Sequence, residues 1–75
     1  MQHEETVERL RLDRLKTGIK LKLYEYPVVL LSVVRQTFRV WDEAQIDQAV
    51  AELKDEGFLI VNTVKGVTRL GRIVS

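Results

Sequence analysis

Seventy-five residues, 45% apolar and 31% charged with a net charge of +1, suffice for one folded domain and exclude a disordered composition or a second core. The absence of cysteine excludes a disulfide framework and a thiolate-bound metal. The longest apolar run, Val28–Val34 interrupted by Ser32, is too short to span a bilayer, and the start MQHEETVERL lacks the bases and apolar stretch of a signal peptide. A cytoplasmic protein is therefore expected, and self-association is the expected source of extra stability in so small a core.

Residues 5–17 are predicted to form a first helix, with Thr6 as its cap and Gly18 as its stop. Leu12, Leu15 and Ile19 lie three and four apart along it, and Val7 and Leu10 are partly in register. The segment Ile19–Tyr24 alternates strictly and suits a half-exposed strand or an extended connector. Pro27 fits the first position of a second helix running to about Gln36, although Val28, Val29, Val33 and Val34 are β-branched and offer a buried strand as the competing reading. Phe38–Trp41 alternates as a short strand would.

The segment WDEAQIDQAVAELKDEGFLI, Trp41 to Ile60, is the best delimited. Asp42 caps a third helix, Gln45 can reach back to complete a capping box, and Trp41 and Ile46 are spaced as a hydrophobic staple. Ile46, Val50 and Leu53, with Ala49 beside them, form the apolar stripe, and Gly57 supplies the left-handed residue that ends the helix. Phe58–Val64 and Val67–Val74 then read as a hairpin turning at Lys65-Gly66, with Thr63 opposite Thr68 and Val61 opposite Leu70. Gly71 would mark a bulge or a close backbone approach.

The near-zero net charge hides a strong asymmetry. Asp42–Glu56 carries six acids against Lys54 alone, a balance of −5, while residues 1–41 and 57–75 each carry +3. Macrodipole complementarity accounts for Asp42 and Glu43, but Asp55 and Glu56 lie at the wrong end for it. Arg9, Arg11, Arg14, Lys16, Lys20 and Lys22 form a basic set that could track phosphates or attract the acidic helix of a second copy.

A helix followed by a charged tripeptide, Gly57 and the apolar strand Phe58-Leu59-Ile60-Val61 resembles the third helix and first wing strand of winged helix-turn-helix proteins. The resemblance spans roughly residues 26–75 and is nearest to minimal regulators of the MarR and ArsR type. It implies a single α+β domain over residues 1–75, of about three helices with a C-terminal hairpin wing, acting on double-stranded DNA as a homo-oligomer. The five residues Thr37–Trp41 leave no room for a further helix before the third. Where such regulators tend to carry Ser, Thr and Arg, this chain has Ala44, Gln45, Asp47, Gln48 and Ala51.

The DNA-binding candidates are Gln45 and Gln48 for base edges, Lys65, Arg69 and Arg72 for a basic wing, and Arg11 and Arg14 for phosphates. Bases on a hairpin also have a plainer explanation, as guards against unwanted strand pairing. An alternative is a protein-interaction or assembly module whose Asp47, Glu52 and Asp55 dock a basic protein surface. An enzyme is not expected. His3, the sole histidine, lies in a terminal segment, Ser32 sits in an apolar run, and no phosphate loop, metal-ligand spacing or cofactor motif is visible.

Overall fold

The computed structural model describes residues 2–74, and side chains from Thr6 onward; the side chain of His3 and the whole of Ser75 lie outside the described residues. The chain runs α1 (Gln2–Glu25), β1 (Val28–Leu30), α2 (Leu31–Thr37), α3 (Glu43–Asp55), β2 (Leu59–Val64) and β3 (Val67–Arg72). It is an α+β domain with a winged-helix-like order of elements: three helices and an antiparallel sheet in the order β1-β3-β2, whose last two strands are the C-terminal hairpin. α2 and α3, joined by residues 38–42, make a helix–turn–helix pair.

α1 does not stop at Gly18, and Thr6 lies inside it rather than at its cap. Leu12, Leu15, Ile19 and Leu23 follow one another at helical spacing and are all buried, so the alternation of residues 19–24 continues the helix and forms no strand. Position 18 suits glycine for a packing reason: a Cβ there would stand 2.8 Å from Cε1 of Phe38, which packs against the core. The helix closes where the Tyr26 amide donates to the Lys22 carbonyl at 2.8 Å, just before Pro27.

The valine-rich segment divides between the two readings. Val28–Leu30 pairs with β3, Val29 opposite Leu70, and the helix begins only at Leu31, so Pro27 precedes a strand and does not open α2. Phe38–Trp41 forms no strand either. It turns, with the Trp41 amide donating to the Phe38 carbonyl at 2.9 Å, because β1 already holds the edge of the sheet beside β3.

α3 and the hairpin follow their local signals. The Asp42–Gln45 capping box forms, the Asp42 amide donating to Gln45 Oε1 at 3.0 Å. At the other end the Phe58 amide donates to the Leu53 carbonyl and the Gly57 amide to that of Lys54, with Gly57 at φ 80°, a Schellman closure. Lys65 and Gly66 both take positive φ, 53° and 78°, as a two-residue type I′ hairpin turn requires. Thr63 then faces Thr68, their hydroxyls 2.9 Å apart, and Val61 faces Leu70. Gly71 sits in regular pairing between Val28 and Ile60 and forms no bulge; a Cβ there would meet Ile60 Cγ1 at 3.4 Å, an ordinary contact.

One core results. Leu12, Leu15, Ile19 and Leu23 of α1, Val34 of α2, Ile46, Ala49, Val50 and Leu53 of α3, and Val29, Leu59 and Leu70 from one face of the sheet enclose it. Leu31, Phe38, Trp41 and Phe58 pack around its margin.

Candidate interaction surfaces

The charge asymmetry is partly resolved within the chain. Glu52 on α3 accepts from Arg9 on α1 at 2.7 and 3.3 Å and from Lys16 at 3.2 Å, and Lys16 also pairs with Glu56. Arg35 of α2 meets Asp47 at 2.9 Å. Lys16 keeps only 11% of its side chain exposed, so its ammonium is shielded and depends on those two carboxylates. The hydrogen bond from Arg9, reinforced by those from Lys16 and Gln48, lowers the Glu52 carboxyl to about 2. The Glu56 bond raises Lys16, and the Glu52 and Asp47 bonds raise Arg9 and Arg35. The basic side of α1 therefore attracts the acidic helix of its own chain, where the sequence left open the acidic helix of a second copy.

This clamp determines what α3 can present. Gln45 Oε1 is engaged by the Asp42 amide in the capping box, and Gln48 Nε2 donates to Glu52 at 3.3 Å. Both line an open depression between α1 and α3 with Arg9, Arg11 and Trp41. The outward side of α3 shows Ala44, Asp47, Gln48, Ala51 and Asp55, with Lys54 as the one exposed base on the helix. Of the candidate partner-binding acids, Asp47 and Glu52 are thus paired in cis, and Asp55 is exposed.

The hairpin bases also separate. Lys65 stands exposed at the tip and Arg69 on the solvent face of the sheet, whereas the Arg72 guanidinium lies 5.0 Å from the Tyr24 ring, which meets Phe58 edge-on. Arg69 and Arg72 both belong to β3, the central strand, so they do not guard an edge. Arg11 and Arg14 are exposed on α1.

The unguarded edge is β2, a feature the sequence reading missed because it depends on strand order. Its six residues, LIVNTV, include no charge and no proline, and its register against β3 is unbroken. Devices that normally blunt an edge strand are missing from it. In a two-residue hairpin the pair Val64–Val67 exchanges both ladder bonds, as do Asn62–Arg69 and Ile60–Gly71, so the peptide groups of Val61 and Thr63 point away from β3. The Arg72 amide, by the same alternation, turns to β1 and donates to the Pro27 carbonyl at 2.8 Å. Beside this edge the solvent face carries Val28, Leu30, Ile60, Val64 and Val67, all exposed and broken only by Asn62, Arg69 and Gly71.

Comparison with known protein families, with characterised proteins and with solved structures returns no match. Among the described residues no helix is long and apolar enough to cross a membrane, and no group of three potential metal ligands occurs.

Proposed function

We propose that this chain is a winged-helix-like protein-interaction module that takes up an extended segment of a partner protein along the free edge of β2. The observation that carries the reading is the uncharged, proline-free edge strand bordered by an exposed apolar sheet face. Strand addition satisfies the outward peptide groups of Val61 and Thr63, and the partner's side chains on the solvent face pack near Ile60 and Val64. The segment expected there is therefore β-branched or aromatic, and uncharged on that face. This departs from docking through the acidic third helix, whose carboxylates Asp47 and Glu52 already have cationic partners.

A photo-crosslinking residue in place of Asn62, used in the native host, is expected to capture a partner protein. Once purified, that partner should bind the chain directly, and Val61→Pro and Thr63→Pro should each weaken binding at least tenfold while leaving the far-ultraviolet circular dichroism unchanged, because each removes one outward amide and no bond to β3. Full binding by both well-folded variants would overturn the proposal.

A second reading, DNA binding, is favoured by one observation: residues 57–75 carry Lys65, Arg69 and Arg72 and no acid. Magnitude weighs against it. DNA-binding proteins commonly use about six to ten phosphate contacts, and Arg72 is already stacked on Tyr24, leaving Lys65 and Arg69 on the wing. Arg11 and Arg14 of α1 would have to supply the remainder.

A further inference from the structure

The core takes one stripe of α1, and the opposite stripe is also patterned. Val7, Leu10, Arg14, Thr17, Leu21 and Tyr24 follow one another at spacings of three, four, three, four and three, and all are exposed. Leu10 is 57% exposed and Leu21 63%, and Tyr24, 59% exposed, keeps its contacts with Phe58 and Arg72 of its own chain. The spacing is that of a and d positions in a two-stranded coiled coil, with Val7, Arg14 and Leu21 at a and Leu10, Thr17 and Tyr24 at d, apolar at four of the six. The stripe is roughly 26 Å long at 1.5 Å per residue. A solvated helix has no need of such a seam, since two leucines at its centre line cost solubility without filling a core.

We infer that α1 pairs with α1 of a second copy of this chain, antiparallel, through Val7, Leu10, Arg14, Thr17, Leu21 and Tyr24. The seam is complementary to itself in that direction alone. With a two-fold axis between Leu15 and Lys16, Leu10 meets Leu21 of the partner subunit, Val7 meets Tyr24 of the partner subunit, and Arg14 meets Thr17 of the partner subunit. The flanking positions then bring Asp13 to Lys20 of the partner subunit, an opposite-charge pair made twice. A parallel pairing keeps the leucines near their own copies but sets Arg14 against Arg14 of the partner subunit in the middle of the seam. Burying two guanidinium groups together without an acid is far costlier than setting each beside a hydroxyl. An isologous two-fold contact also closes on itself, giving a dimer and no filament. The seam is short, so the dimer belongs at the weak end of specific interfaces. It uses the side of α1 turned away from α3 and leaves the β2 edge open, so it stands or falls independently of partner docking.

Sedimentation equilibrium over a wide concentration series is expected to show a monomer–dimer equilibrium. Leu10→Glu and Leu21→Glu, each at an exposed site, should leave a folded monomer at every concentration, and Thr17→Glu should tighten the dimer several-fold by facing Arg14 of the partner subunit. The chain has no cysteine of its own, so direction can be read by disulfide trapping. Mixed Leu10→Cys and Leu21→Cys chains should cross-link to each other in preference to themselves. A monomer throughout, a dimer indifferent to both glutamate variants, or trapping of Leu10→Cys mainly with itself would each overturn the inference.

Discussion

Replacing Leu53 by alanine is expected to lower the unfolding free energy by about 2–5 kcal/mol, among the largest effects of a single side-chain truncation in α3. Leu53 is fully buried in the last turn of the helix and closes the core shared with α1 and the sheet. The same residue's carbonyl receives the Phe58 amide that turns the chain into β2, so a collapse of the site cannot proceed without disturbing the Schellman closure. A domain of this length has a total stability of roughly 4–11 kcal/mol, at about 0.05–0.15 kcal/mol per residue. Leu53→Ala therefore removes a large share of that stability, whereas Ala51→Ser, on the outward side of the same helix, changes stability by less than about 0.5 kcal/mol. Urea denaturation of the two variants measures both, with the midpoint moving for the first and staying for the second.

The second large effect is on acid stability. The Glu52 carboxyl sits at about 2 in the folded chain, below its ordinary value of 4.5, because Arg9 and Lys16 hold it ionised. Its contribution to stability is then complete above about pH 4.5. It is lost as the pH falls from there toward 2, because the unfolded chain takes up the proton first. Glu52→Gln is expected to be less stable than the parent at pH 7 and to lose less on acidification, so that the two curves converge near pH 2. Lys16 contributes in the opposite direction: its ammonium is raised by the bond to Glu56, so that part is present below its ordinary 10.5 and is lost at strongly alkaline pH. Thermal unfolding followed from pH 2 to pH 7 tests the first sign; parallel curves for Glu52→Gln and the parent would refute it.

Glu52 also illustrates a limit of charge reversal as a probe. Placing a cation at Glu52 would set it beside Arg9 and the shielded Lys16, three basic groups in all, and loss of binding there would report unfolding. Asp55 is exposed and takes part in none of these ion pairs, although it lies one turn from Glu52, so reversal there changes the outward charge of α3 without breaking the clamp.

The parts legible from residue order were those set by local chemistry. Asp42, Gln45 and Gly57 bound α3 through hydrogen bonds no more than five residues apart, and Lys65-Gly66 fixes the hairpin register because only positive φ at both positions matches the strand twist. The errors share a different cause. Gly18 has the chemistry of a helix stop, but the ring of Phe38, twenty residues on, takes the space of a side chain there, and burial of Ile19 and Leu23 carries the helix onward. Val28–Leu30 became a strand by pairing with residues some forty positions away, which outweighed any local preference. The clamp of Arg9 and Lys16 on Glu52 and Glu56 is non-local as well, so the −5 segment read as a free acidic face. The edge status of β2 became visible only once β1 was found beside β3.

The most direct measurement is a titration of labelled duplex DNA at low salt, repeated as the salt is raised. A module that works through protein contacts should bind no tighter than the non-specific range of about 10⁻⁴–10⁻⁶ M, with a salt slope of about two or less from Lys65 and Arg69. Binding well below that range, with a slope of about six or more that Lys65→Ala and Arg69→Ala flatten, would contradict the account and make the hairpin a DNA-gripping wing.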